Sequence, residues 1–82
     1  MNLRRSAHFE RDYSKAPKHI QAAFDKQSLL LLQNLRHPSL RAKKYGESLG
    51  LWQARITGDW RFYFLIEGET YYLVRMRSHP KQ

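Results

Sequence analysis

A chain of 82 residues with 15 Lys and Arg, 7 Asp and Glu and no cysteine can bury one modest core, and it excludes a disulfide framework or a thiolate metal site. Its formal charge of +8 and sequence pI near 10.2 are silent about fold but favour an anionic partner, either nucleic acid or a very acidic protein. No apolar run approaches the roughly 18 residues of a membrane span and no signal-peptide pattern opens the chain, so a soluble, cytoplasmic protein with a single domain over residues 1–82 is expected.

In chain order, Asn2 to Ala7 reads as a weak edge strand, with Leu3 its one large apolar residue and Arg4 and Arg5 as edge-protecting charges. Phe9 and Tyr13, four apart between His8 and Lys15, mark one face of a short helix. Ala16-Pro17 stops that helix and restarts another, because proline suits a first turn and not a helix interior. The second helix is expected from Pro17 to Leu35, with Ile20, Ala23, Phe24, Leu30, Leu31 and Leu35 on its buried side and Gln27 as a polar interruption. His37-Pro38 ends it, and a lone histidine there serves the negative end of the helix dipole better than it serves a metal. The segment Pro38 to Gly50 is basic and irregular, with room for one short strand near Lys43 to Tyr45. Its cluster Arg41, Lys43 and Lys44 is either a solvated surface or the start of a larger basic one.

The run Trp52-Gln-Ala-Arg-Ile-Thr-Gly-Asp-Trp-Arg-Phe-Tyr-Phe-Leu65 reads as a β-hairpin around Gly58-Asp59. Alternation places Trp52, Ala54 and Ile56 on one face of the first strand, and Trp60, Phe62, Phe64 and Ile66 on one face of the second. Both sets look like core and can share a side of the sheet only across an odd connection, so a three-residue loop, Thr57 to Asp59, is expected. That register sets Arg55 opposite Arg61, with Gln53 and Tyr63 further along the outer face. Neighbouring arginines repel. Either both snorkel into water or the pair waits for an anion.

After a second turn at Glu67-Gly68-Glu69, Tyr72, Val74 and Met76 alternate as core, leaving Tyr71, Leu73, Arg75, Arg77 and His79 outside. A three-residue loop here pairs Phe64 with Tyr72 and Arg61 with Arg75, so Arg55, Arg61 and Arg75 line up, continued by Arg77 and His79. Guanidinium groups for phosphate and aromatic rings for unpaired bases are what RNA recognition uses.

The order of elements, this hairpin and the terminal Arg75-Met-Arg-Ser-His79 resemble the RelE/ParE superfamily of toxins from bacterial type II toxin–antitoxin modules, and most of all its mRNA-cleaving RelE and YoeB-like branch. The likeness runs from Phe9 to His79, and its most specific part is Arg55, then Arg61 beside an aromatic run, then a C-terminal histidine. It implies an α+β fold with two N-terminal helices packed on one face of a small antiparallel β-sheet. It also implies metal-independent cleavage of mRNA in the A site of the 70S ribosome, restrained by an acidic cognate antitoxin in a hetero-oligomer. By position Arg61 matches the arginine that stabilises charge at the scissile phosphate, and His79 the histidine used in proton transfer. Glu47 is a loose match for the general base, with Lys43 and Lys44 as substitutes on the RelE pattern. Arg55, Arg77, Arg75, Tyr63 and Arg41 would hold RNA with them. Pro80 stands where the YoeB-like pattern has an aromatic, which leaves Tyr63 or Tyr71 to stack on a base.

The chemistry calls for these residue types. The ribose 2′-OH attacks the adjacent phosphorus, so one group takes that proton, another protonates the leaving 5′-oxygen, and cations stabilise the phosphorane. Histidine suits proton transfer near neutrality, and the arginine fork fits two phosphate oxygens. His8, His19, His37 and His79 show no ligand spacing, so no metal and no other cofactor is expected. Two other readings remain open: a ParE-like inhibitor of DNA gyrase, which has no use for His79, and an inactive module that only binds an acidic antitoxin.

Overall fold

A computed structural model of the protein describes residues 1–46 and 50–78. Glu47 and His79 therefore lie outside the described residues. Within them the chain forms β1 (Asn2–Arg5), α1 (Ala7–Lys15), α2 (Lys18–Gln33), a 3-10 turn (Pro38–Leu40), β2 (Lys43–Gly46), β3 (Leu51–Thr57), β4 (Trp60–Glu67) and β5 (Thr70–Ser78). The five strands make one sheet in the order β1-β5-β4-β3-β2. This is the expected α+β fold, with one added feature: β1 runs parallel to β5, while the other pairs are antiparallel.

Local chemistry explains the helix bounds. Ser6 caps α1, its Oγ accepting from the Phe9 N–H at 3.0 Å and donating to the Val74 carbonyl at 2.9 Å, which also pins the helix to β5. Ala16 adopts extended backbone (ψ 149°), the conformation a residue before proline prefers, so α1 ends there and α2 starts after Pro17. The buried stripe of α2 contains Ile20, Phe24 and Leu31, with Ala23, Leu30 and Leu35 packed at its margin. Gln27 sits inside that stripe without penalty. Its amide donates to the carbonyls of Ser39 (3.1 Å) and Arg55 (2.8 Å), tying α2 to the 3-10 turn and to β3.

The core lies between the helices and one sheet face: Phe9, Phe24 and Leu31 meet Ala54, Phe62, Phe64, Leu73 and Met76. Arg5 contributes by packing, its guanidinium 4.7 Å from the centre of the Tyr13 ring and 3.7 Å from Glu10.

Arg55 pairs with Arg61 as expected, but the connection is shorter than expected. Thr57 pairs with Trp60 across the two-residue turn Gly58-Asp59, and Ile56 is the extra residue of a β-bulge. The bulge supplies the odd residue that the loop does not, so Ile56 remains in the core at 6% exposure. The second hairpin repeats the device. Gly68, in the left-handed region at φ 58°, makes a two-residue turn with Glu69, and Val74 is the extra residue in β5. Here the expected core of Tyr72, Val74 and Met76 is corrected. Before the bulge the phase is opposite, so Tyr71 and Leu73 are buried, and after it Met76 is. Arg61 therefore faces Arg77 rather than Arg75, and Phe64 faces Leu73 rather than Tyr72.

β1 accompanies β5 only as far as Leu73. Beyond that point α1 supplies the missing partner: Asp12 Oδ2 accepts from the Met76 N–H at 2.9 Å and from Arg75 Nε at 2.8 Å. Burial pushes the Asp12 carboxyl up, but the Arg75 hydrogen bond, the Met76 N–H and the charges of Arg75 and Arg77 outweigh it and hold the pKa below its ordinary value. A carboxylate with a lowered folded-state pKa stabilises the fold above its unfolded pKa of about 4 and loses that contribution as pH falls through the folded value. Asp12→Asn is thus expected to lower the urea midpoint at pH 7, and the gap from wild type is expected to narrow below about pH 4. A gap that does not change with pH would show that the carboxylate's charge is not what holds β5.

Candidate nucleic-acid interface

The sheet face turned away from the helices carries Arg55 on β3, Arg61 on β4 and Arg77 on β5, each opposite its neighbour in the ladder. Among the described residues none of these arginines has a carboxylate partner; the two ion pairs, Arg5–Glu10 and Arg75–Asp12, lie elsewhere. Two of them, Arg55 and Arg61, are held by backbone instead. Arg61 Nη1 donates to the carbonyls of Thr57 (2.6 Å), Gly58 (3.2 Å) and Trp60 (3.0 Å). Arg55 Nε reaches the Thr57 carbonyl at 3.4 Å, a long contact. Carbonyl anchoring fixes a guanidinium without neutralising it. Because one nitrogen of Arg61 does the anchoring, its Nε–Nη2 edge remains available to a bidentate anion.

An open cleft of about 320 Å³ lies here, lined by Arg41, Lys43, Gln53, Arg55 and Arg61. Arg41 and Arg55 also border a second cleft, of about 490 Å³, which runs towards Lys26 and Gln27 of α2. Arg41 reaches this position from left-handed backbone at φ 47°, a conformation costly for a residue with a Cβ. A third cavity, of about 140 Å³, lies among Tyr45, Leu51, Tyr63, Val74, Arg75 and Arg77.

The residues singled out from sequence are therefore placed unequally. Arg41, Lys43, Arg55 and Arg61 converge on one cleft, and Arg77 continues the row. Lys44 does not join them, because it pairs with Trp52, on the helix-facing side of the ladder. Arg75 borders the third cavity but spends its guanidinium on Asp12. Tyr63 stands on the outer face beside the row; burial raises its pKa, helped by Tyr45, while Arg77 and Arg61 oppose the shift. Tyr71 is a core residue at 5% exposure and cannot stack on a ligand. His37 caps the 3-10 turn instead of serving the end of α2, its Nδ1 accepting from the Ser39 N–H at 3.2 Å. Tyr45 borders the third cavity, and nothing in the local sequence distinguishes it from a solvated tyrosine in a basic strand. The described residues hold no cluster of His, Cys, Asp or Glu fit for a metal, and no helix among them is long and apolar enough to cross a membrane.

No protein-family profile and no curated protein matches the chain. Solved structures do match. The YoeB/ParE toxin from Agrobacterium tumefaciens superposes with a TM-score of 0.80 at 16% identity, over 98% of this chain and 100% of that one. YafQ from E. coli strain BL21(DE3) gives 0.78 at 20% identity, over 94% and 91%. The toxin–antitoxin complex RelBE2 from Mycobacterium tuberculosis gives 0.75 at 26% identity, over 96% of both chains. The chain therefore has the fold shared by these YoeB/ParE, YafQ and RelBE2 structures.

Proposed function

We propose that the protein is the toxin of a type II toxin–antitoxin pair and acts as a metal-independent endoribonuclease on mRNA in the ribosomal A site. The observation that carries this reading is the row Arg55, Arg61 and Arg77: three cations from adjacent strands, set opposite one another by the strand register on an open face, with Arg55 and Arg61 also held by backbone carbonyls. Such a row costs repulsion unless an anion with closely spaced charges lies across it, and a polynucleotide backbone is that anion. Arg61, the best anchored, stabilises the phosphorane; Arg55 and Arg77 align the phosphates on either side; Arg41 and Lys43 extend the track. In this reading His79 protonates the leaving 5′-oxygen and Glu47 takes the 2′-OH proton, assignments that rest on their sequence positions.

The restraining partner is an acidic antitoxin, in keeping with the net charge of +8. Among the structural neighbours, DinJ–YafQ from E. coli was solved as a toxin–antitoxin complex and RelE from Pyrococcus horikoshii as a RelE–RelB complex. The test is primer extension on a defined mRNA in a purified translation system, with and without ribosomes. Cuts that follow the reading frame and need ribosomes are the expected result. An intact message in both arms overturns the nuclease reading.

A further inference from the structure

We propose that Tyr45 and Tyr63 form a base-stacking niche, which holds one unpaired base of the bound RNA beside the arginine row. The inference rests on the reading of this sheet face as an RNA surface and adds to it a site for the base.

The two rings meet edge to face, 5.3 Å between centres and 69° between planes, a favoured geometry in which one ring braces the other. Tyr45 is nevertheless 61% exposed. A lone exposed tyrosine needs no explanation; a braced one over a cavity invites one. The cavity beneath has a volume of about 140 Å³, with Leu51 and Val74 as its apolar walls and Arg75 and Arg77 at its rim. A cavity of about 150 Å³ accepts one benzene-sized ring, so the space takes one ring of an unpaired base, with the rest of the base against the exposed Tyr45 and its sugar-phosphate held outside.

Two of the lining residues are placed by irregularities. The β2–β3 register shifts between Lys44 and Gly46, which makes Tyr45 the extra residue there, and Val74 is the extra residue of the β5 bulge. Bulges re-aim side chains beside functional sites, and here two of them, on different strands, turn side chains towards one cavity. Charge gives the occupant. Arg77 belongs at once to the niche and to the row, so a base seated on Tyr45 has its own phosphate beside Arg77 and the next one towards Arg61. Asp12 holds Arg75 back at the edge, leaving it as a wall.

The test uses the intact protein and a short fluorescein-labelled single-stranded RNA, with 2-aminopurine placed at each position in turn, since stacking quenches that base. Anisotropy reads binding of the strand, and 2-aminopurine fluorescence reads seating of the base. Wild type is expected to bind and to quench at one position, and Tyr45→Phe to do the same. Tyr45→Ala is expected to lose the quench and to bind about tenfold more weakly, the loss of roughly one base–aromatic stack. An abasic residue at the quenched position is expected to abolish the difference between Tyr45→Ala and wild type. Anisotropy without quenching, or equal affinity for wild type and Tyr45→Ala, overturns the niche and leaves the RNA surface standing; the apolar cavity would then suit a side chain of a protein partner. Absence of any strand binding overturns both.

Discussion

Arg61→Ala is expected to lower mRNA cleavage by about 10²–10³-fold, the cost of removing one donor aimed at developing negative charge. Growth arrest on expression should disappear with it. Arg61 stands in the middle of the row, between Arg55 and Arg77, and is the arginine that the hairpin carbonyls hold most closely. A side chain fixed before substrate arrives needs little ordering in the transition state, so its charge acts at full strength. The same contacts create a second effect, because the variant leaves the carbonyls of Thr57, Gly58 and Trp60 to water. At a solvated hairpin tip that costs on the order of 1 kcal/mol, enough to lower Tm by several degrees and too little to unfold the protein. Arg61→Lys separates the two contributions. It keeps a point charge but cannot grip the loop with one nitrogen while offering a fork to phosphate, so partial activity is expected. Primer extension with melting curves on all three proteins is the measurement. An Arg61→Ala protein that still cleaves and still arrests growth would remove Arg61 from the mechanism.

Much of this arrangement can be read from the chain itself, and the failures have one physical origin. The apolar spacing of Phe9, Tyr13, Ile20, Phe24 and Leu31 is enough to orient both helices, because a 3.6-residue period repeats over several turns. The pairing of Arg55 with Arg61 follows from parity, since two apolar faces had to share a side. Bulges break that logic. An extra residue at Ile56, Tyr45 or Val74 leaves no mark in composition, yet each changes which face the following side chains take. So Arg77, and not Arg75, completes the row. The capture of Arg75 by Asp12, 63 positions away in the chain, is equally invisible, as is the parallel pairing of β1 with β5. Local pattern carries faces; long-range pairing carries register.

Phe24→Ala is expected to be the most destabilising single substitution considered, at about 3–5 kcal/mol, the usual cost of deleting a buried phenylalanine ring. Phe24 is fully buried, its ring centre 5.0 Å from Phe9 on α1, 6.0 Å from Tyr13 and 5.2 Å from Phe62 on β4. It thus joins the two helices and the sheet at one point, and nothing beside it can collapse into the space without moving an element. A domain of this length has a total stability of only about 4–12 kcal/mol, so the variant sits near the limit of folding, with Tm lowered by some 15 °C or more. Leu29→Ala on the exposed side of the same helix, at 62% exposure, is expected to stay within about 0.5 kcal/mol and serves as the control. The consequence reaches the arginine row. One turn along α2 from Phe24, Gln27 holds the Arg55 carbonyl at 2.8 Å, beside the Ile56 bulge that sets the register of Arg55 against Arg61. A helix that has lost its anchor loosens that bond, so strand binding should weaken below the melting transition, at temperatures where circular dichroism still reports a folded chain. Urea and thermal melts measured alongside RNA anisotropy decide the matter. A Phe24→Ala protein that melts close to wild type would mean that α2 does not seat on the sheet through this residue, whereas one that is less stable but binds unchanged would uncouple the helix from the row.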